Sequence, residues 1–258
     1  MPRRLERPGR SPARTAFIIL EYCGGARTDA LFERISRWNQ GVRILVLDNA
    51  SPINPASCVT HRNRRNSYVG GGIRDCIALA LSLGATYLFY CVNDADLPNP
   101  LVIADFQAVM DNDPDVVLVS CSLSPDSQQA RRYPWMVRRR GGLLRRVRAA
   151  DPICCLLRLD FIESFGGFPE SKGGWGYASE VAYHARKQGK KIYVSDRCSV
   201  RHSRASGFLV TERGETISKG DEAVRVYSQR YGTAAKIYQG LEAPDFDEAQ
   251  GLRPSSKT

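Results

Sequence analysis

The sequence predicts an α/β fold, a mixed and mainly parallel β-sheet flanked by helices, with a smaller part on its C-terminal side. Three features predict it. Short apolar runs such as "AFIIL" (Ala16 to Leu20) and "RILVL" (Arg43 to Leu47) are continuous rather than alternating, as in strands buried on both faces. Segments with apolar residues at helical spacing separate them. The runs stop at polar or glycine-rich turns, and in such sheets ligands bind beyond the carboxyl ends of the strands.

The elements follow in order. "TDALFERISRW" puts Leu31, Phe32, Ile35 and Trp38 at helical spacing, with Thr28 or Asp29 as N-cap. "RILVL" ends at "DNASP", and a short strand is expected near Cys58 to His61. The glycines Gly70 to Gly72 precede the helix "IRDCIALALSLG", which Gly84 closes. "YLFYCV" reads as a strand, "LVIADFQAVM" as a helix behind Pro100, and "DVVLVS" as another strand. Beyond it, "DPICCLLR" is a strand and "LDFIESFGGF" a short helix with a glycine exit. "GGWGYASEVAYHARKQG" is a glycine-rich loop that becomes a helix ended by Gly189. "KIYV" is a strand, and "CSVRHSR" an extended segment containing His202. "DEAVRVYSQRYG" is an amphipathic helix with Val224, Tyr227 and Tyr231 on one face.

Composition excludes several classes. The chain has 258 residues, 43% hydrophobic and 25% charged, ordinary for a folded protein. No run of eighteen apolar residues offers a membrane-spanning helix. "MPRRLERPGRSPART" lacks an apolar core, so it does not read as a secretory signal; it is Arg- and Pro-rich and expected to be disordered. The eight cysteines form no CxxC pair, and Cys91, Cys154 and Cys155 lie in apolar runs, which fits a reducing cytoplasm. With only three histidines, a structural zinc site is not expected. The net charge of +10 points to a polyanionic partner. Much of it lies in Arg131 to Arg148, with eight arginines and no acid, interleaved with Tyr133, Trp135, Leu143 and Leu144. Such a run is either a solvated face or a surface that joins anion binding to apolar contact.

Four groups of residues can carry chemistry. Asp94-Ala95-Asp96 ends a buried strand, and residues i and i+2 of an extended segment share a side. Two such carboxylates suit Mg²⁺ or Mn²⁺, although a polar turn has the same composition. Gly70 to Gly72 either cradle a phosphate at a helix N-terminus or form a flexible turn, and Arg74 behind them can add a cation. Glu180 opens a helix behind "GGWGYAS", and Trp175 is a core anchor or a stacking platform. His202 is a metal ligand or a satisfied structural histidine.

Taken in order, these segments resemble the GT-A nucleotide-sugar glycosyltransferases of the family 2 type, from about Ala16 to Ser206. "FIILEYCGG…LFERISRW" resembles the opening strand and helix, and "RILVLDNASP" the "VVDNaSxD" segment. "NSYVGGGIRDCIALALSLGATYLFYCVNDADLP" is similar to the block that ends in D-x-D, and "FGGFPESKGGWGYASEVAYHARKQGKKIYV…VRH" to the late acidic helix and histidine. The sequence departs at Arg74 and Cys76, where the family has Asn and Gly, at Tyr22-Cys23, and at Ser179 and Ala182, which leave Glu180 as the one acid of the late motif.

The resemblance implies a GT-A, Rossmann-like fold and inverting transfer. A divalent cation (Mn²⁺ or Mg²⁺) would sit on Asp96 with Asp94 and His202. Tyr22, Asp48, Gly71, Gly72, Arg74 and Asp94 would hold a UDP-, GDP- or dTDP-sugar. Gly174, Trp175 and Arg138 would meet the acceptor, a glycan or lipid-linked molecule, and Glu180 would be the base. It divides the chain into a basic start (1–14), a donor half (15–125), an acceptor and catalytic half (126–210) with a basic loop (131–148), and a C-terminal helix with an acidic tail (211–258). The expected setting is cytoplasmic, in cell-surface glycan or glycolipid synthesis, with the basic loop touching an anionic membrane. A sugar nucleotidyltransferase, with "EYCGGART" and Arg27 as its phosphate loop, is the competing enzyme class. A non-enzymatic polyanion binder is the third reading, and the absence of any nucleic-acid motif argues against a nucleic-acid partner.

Overall fold

The structure is a computed structural model and describes residues 15–202, 208–210 and 214–232. The expected disordered start at 1–14 and the acidic tail lie outside the described residues. The first apolar run is β1 (Thr15–Glu21), followed by α1 (Ala26–Trp38), β2 (Ile44–Asp48) and β3 (His61–Arg62). Next come α2 (Tyr68–Ser82), β4 (Tyr87–Val92), β5 (Ala95–Asp96), α3 (Ile103–Asn112) and β6 (Val116–Leu123). A 3-10 turn (Gln128–Arg131) leads into the basic segment, which contains a second one (Pro134–Met136) and a strand, β7 (Leu144–Val147). The remaining elements are β8 (Cys154–Arg158), α4 (Leu159–Ser164), α5 (Tyr177–Lys187), β9 (Lys191–His202), β10 (Phe208–Val210), β11 (Thr216–Ser218) and α6 (Lys219–Tyr231).

One nine-stranded sheet runs in the order β3-β2-β1-β4-β8-β6-β9-β5, with β7 on β9. Its first four strands are parallel, and β1, β2 and β4 carry the continuous apolar runs of strands covered on both faces. β8 lies antiparallel between β4 and β6, so strands from both predicted halves share one sheet. The reversal brings the start of β8 beside the end of β4: Cys91 pairs with Cys154, and Val92 N donates to Ile153 O at 3.1 Å. Phe17 and Phe89 stack at 4.8 Å between ring centres inside this core. Burying a side chain of this size contributes about 1.5–3 kcal/mol.

Two local expectations change. The N-cap of α1 is Gly25, not Thr28 or Asp29. The amides of Gly24 and Gly25 donate instead to Glu21 Oε1, at 2.6 and 3.4 Å. Thr28 and Asn93 also bond this buried carboxylate, whose other oxygen takes Asn93 Nδ2 at 2.7 Å. Asp29 meanwhile accepts from the amides of Ser57 and Cys58. On α6 the buried face carries Ala223 and Tyr227, while Val224, one position round the helix, is 48% exposed.

Candidate active site

Beyond the ends of β1 and β4 the chain encloses a cavity of about 510 Å³, within the range of a small-molecule site. Leu20, Tyr90, Val92 and Ile153 line it from the sheet. Tyr22, Arg27, Asn49, Asn66 and Tyr68 line it from the β1, β2 and α2 side, Gln129 from the first 3-10 turn, and Arg132 and Tyr133 from the basic segment. The loop Gly173 to Gly176 completes the wall. Glu222 of α6 holds that loop, accepting from Ser171 Oγ at 3.0 Å, Lys172 N at 2.8 Å and Gly173 N at 2.6 Å.

Of the residues chosen from the sequence, Tyr22, Asp94, Gly174, Trp175 and His202 line this cavity. Asp94 Oδ1 and His202 Nε2 are 3.0 Å apart, and Gln129 contacts the other ring nitrogen. Burial opposes ionisation of Asp94, but the hydrogen bond and charge of His202, with Arg27, hold its carboxyl below the ordinary value. A carboxylate and an imidazole side by side are ligand types that could hold a divalent cation. Among the described residues no third His, Cys, Asp or Glu joins them in a metal-binding group.

The other chosen residues lie outside the wall. β5 pairs with β9 so that Asp96 faces Arg201 and Ala95 faces His202. Adjacent β9 residues point to opposite faces, so Asp94, on His202, and Asp96, on Arg201, are turned apart. Asp96 is held by Arg201 and by Arg34 at 3.1 Å, and these bonds keep its carboxyl below the usual range. Asp48 is buried, accepts from Ser51 N and Oγ, and pairs with Arg62 at 3.1 Å. Gly71 and Gly72 belong to α2 itself rather than to a loop before it. A Cβ on Gly72 would lie 2.6 Å from Leu20, and one on Gly70 would lie 2.0 Å from Ser171 O, so these glycines let α2 pack closely. Arg74, one turn on, is exposed. Arg138 donates to Asn99 Oδ1 at 2.7 Å and to Asp196 O at 3.1 Å.

Glu180 is fully buried and faces α6. Its Oε1 accepts from Tyr231 Oη at 2.6 Å and pairs with Arg230 Nε at 3.2 Å. Glu180 Oε2 has no hydrogen-bond partner among the described residues.

Sequence reasoning missed Asp151, Arg27 and Arg132 as parts of this wall, although Arg27 figured in the competing phosphate-loop reading. Burial pushes the Asp151 carboxyl up to about 6, partly offset by His202 and Arg132. The folded state therefore holds this proton more tightly than the unfolded chain, whose carboxyl titrates near 3.8. The resulting stability is present below pH 4 and is lost as pH rises through 6. Asp151→Asn is expected to stabilise the protein by ~1–2 kcal/mol at pH 8, discounted for the open wall, and not at pH 4. Thermal melts in EDTA at both pH values check this; an equal gain at both would refute it.

No family model and no curated protein matches the chain. Solved structures do. S. aureus TarS (residues 1–349, in complex with UDP-GlcNAc) aligns with TM-score 0.57 and 12% identity over 88% of this chain and 70% of that one. GalNAc-T7 with UDP, GalNAc and Mn²⁺ aligns with TM-score 0.54 and 12% identity over 76% of this chain. The mannosyltransferase PcManGT from Pyrobaculum calidifontis, in complex with GDP-Man and Mn²⁺, aligns with TM-score 0.52 and 16% identity over 88% of this chain. This chain has a GT-A glycosyltransferase fold. It spans 45% of GalNAc-T7 and 64% of the mannosyltransferase, so the likeness covers only part of each. Within the GT-A sheet the cavity occupies the strand-end position where such α/β sheets bind ligands. Among the described residues no helix of this GT-A chain is long and apolar enough to cross a membrane.

Proposed function

We propose that this chain transfers a sugar from a nucleotide-sugar donor to an acceptor hydroxyl, with inversion at the anomeric carbon. The observation that carries the reading is the Asp94–His202 pair set in the wall of the strand-end cavity of a GT-A sheet. In this reading Asp94 and His202 hold a Mn²⁺ or Mg²⁺ ion, which when bound offsets charge on the departing diphosphate. Tyr22 and Tyr68 offer aromatic faces to the nucleoside, and the Gly173 to Gly176 loop, fixed by Glu222, borders the sugar and acceptor. The acceptor oxygen bonds to the anomeric carbon as the bond to the diphosphate oxygen breaks, and the acceptor proton passes to a base. Glu180 is turned into the α5–α6 contact, and in this reading Asp151, a carboxylate of the wall, takes the proton.

The nucleotidyltransferase reading is disfavoured by one observation. Its phosphate loop would need the amides of Gly24 and Gly25, and these are spent on the Glu21 carboxylate. To test the transferase reading, UDP, GDP and dTDP and their sugars are screened for thermal stabilisation with Mn²⁺ and with EDTA. A ligand at 100 times its Kd raises stability by about 2.7 kcal/mol, a shift of a few degrees for a chain of this size. No shift from any of them sinks the reading.

A further inference from the structure

We infer that Arg27 and Arg132 form a guanidinium clamp on the donor diphosphate, so that this chain binds nucleoside diphosphates without a divalent cation as well as with one. The inference rests on the nucleotide-sugar reading of the same cavity. Three observations carry it.

First, the acidic motif is half withdrawn. Asp96 is held by Arg34 and Arg201, and Arg201 also pairs with Asp126 at 3.0 Å. A cation in the wall therefore meets a single carboxylate of the motif, and a diphosphate brings at least two further negative charges. Second, several other arginines are already engaged: Arg62 by Asp48, Arg145 by Asp196, Arg230 by Glu180. Arg27 and Arg132 differ. Both line the cavity, and among the described residues neither guanidinium donates a hydrogen bond. They come from separate elements, the first turn of α1 and the end of the first 3-10 turn. The Arg27 charge acts on Asp94 and the Arg132 charge on Asp151, so the two cations flank the acidic groups of the wall.

Third, Arg132 is positioned without using its donors. Its guanidinium lies 4.4 Å from the centre of the Trp175 ring and 5.8 Å from that of Tyr133. Contact with an aromatic face fixes the planar group and leaves its in-plane N–H groups for a ligand. That is the geometry in which arginine forms two parallel bonds to phosphate oxygens. Trp175 is then a positioning residue: one of its faces holds Arg132, which limits its part as an open stacking platform.

The test is titration calorimetry of the whole chain with UDP and GDP, in Mn²⁺ and in EDTA, with uridine and guanosine as controls lacking phosphate. The parent protein is expected to bind the diphosphates in EDTA more tightly than the nucleosides. R27Q and R132Q are each expected to weaken diphosphate binding in EDTA roughly tenfold or more, the range for a lost charge-assisted hydrogen bond. Nucleoside binding should be unchanged in both, and both side chains are exposed, so the variants should fold normally. Parent binding of UDP and GDP that vanishes in EDTA, or variants that bind them as the parent does, overturns the clamp while the donor reading stands. If the parent binds no nucleotide under either condition, the donor reading itself falls.

Discussion

Glu180→Ala is expected to lower stability by about 3–5 kcal/mol, because it strips a buried ion pair of one partner. The carboxylate contacts three side chains of α5 and α6. It accepts from Tyr231, pairs with Arg230, and lies 3.7 Å from His184 of its own helix. Arg230 in turn donates to the carbonyls of Gly167 and Phe165, tying α6 to the turn that follows α4. Loss of Glu180 therefore loosens α6, and with it Glu222, which holds the cavity loop. Denaturant melts of the variant measure the effect. Glu180→Gln separates this role from catalysis. The amide keeps the shape and one acceptor, so the structure predicts a smaller loss of stability and substantial remaining transfer. A Glu180→Gln protein that is fully stable yet transfers no sugar would restore Glu180 as the base.

Asp94→Ala is expected to abolish the Mn²⁺-dependent part of nucleotide binding and to lower turnover by roughly 10²–10³, the usual cost of losing one group that stabilises developing charge. Asp96→Ala is expected to do neither. Asp96 is 42% exposed along its side chain, and ion pairs of that kind contribute about 1 kcal/mol or less. Calorimetry with UDP across a Mn²⁺ series distinguishes the two. If Asp96→Ala removes the metal dependence and Asp94→Ala does not, the assignment is reversed.

The difference between these two aspartates shows what a spacing rule can and cannot do. The rule that i and i+2 share a side holds inside a regular strand. Here Asp94 lies in the turn before β5 and Asp96 within it. The pairing with β9, more than a hundred residues away, decides which way each points. Asp151 escaped notice for a related reason. Such sheets bind ligands at the carboxyl ends of their strands, and Asp151 precedes a strand. Only because β8 is antiparallel does its start reach the end of β4. Glu180 was implied as the base by the late acidic motif, and neither that motif nor its place at a helix start says which face of α5 meets α6.

By itself the sequence determined most of the strands and helices in and around the central sheet. Continuous apolar runs must be covered on both faces, and their polar stops mark where they end, so β1, β2, β4 and the strand-end location of the cavity were legible. The late helix and the short strand at His61 followed from local pattern, and Asp94, His202 and Trp175, singled out by pattern and family-like motifs, line the cavity. Tertiary structure alone decided direction: the antiparallel insertion of β8, the α6 contact that encloses Glu180, and the Trp175 ring under Arg132. Each depends on a contact between residues distant in the chain, and such contacts are set by how layers pack rather than by neighbouring residues.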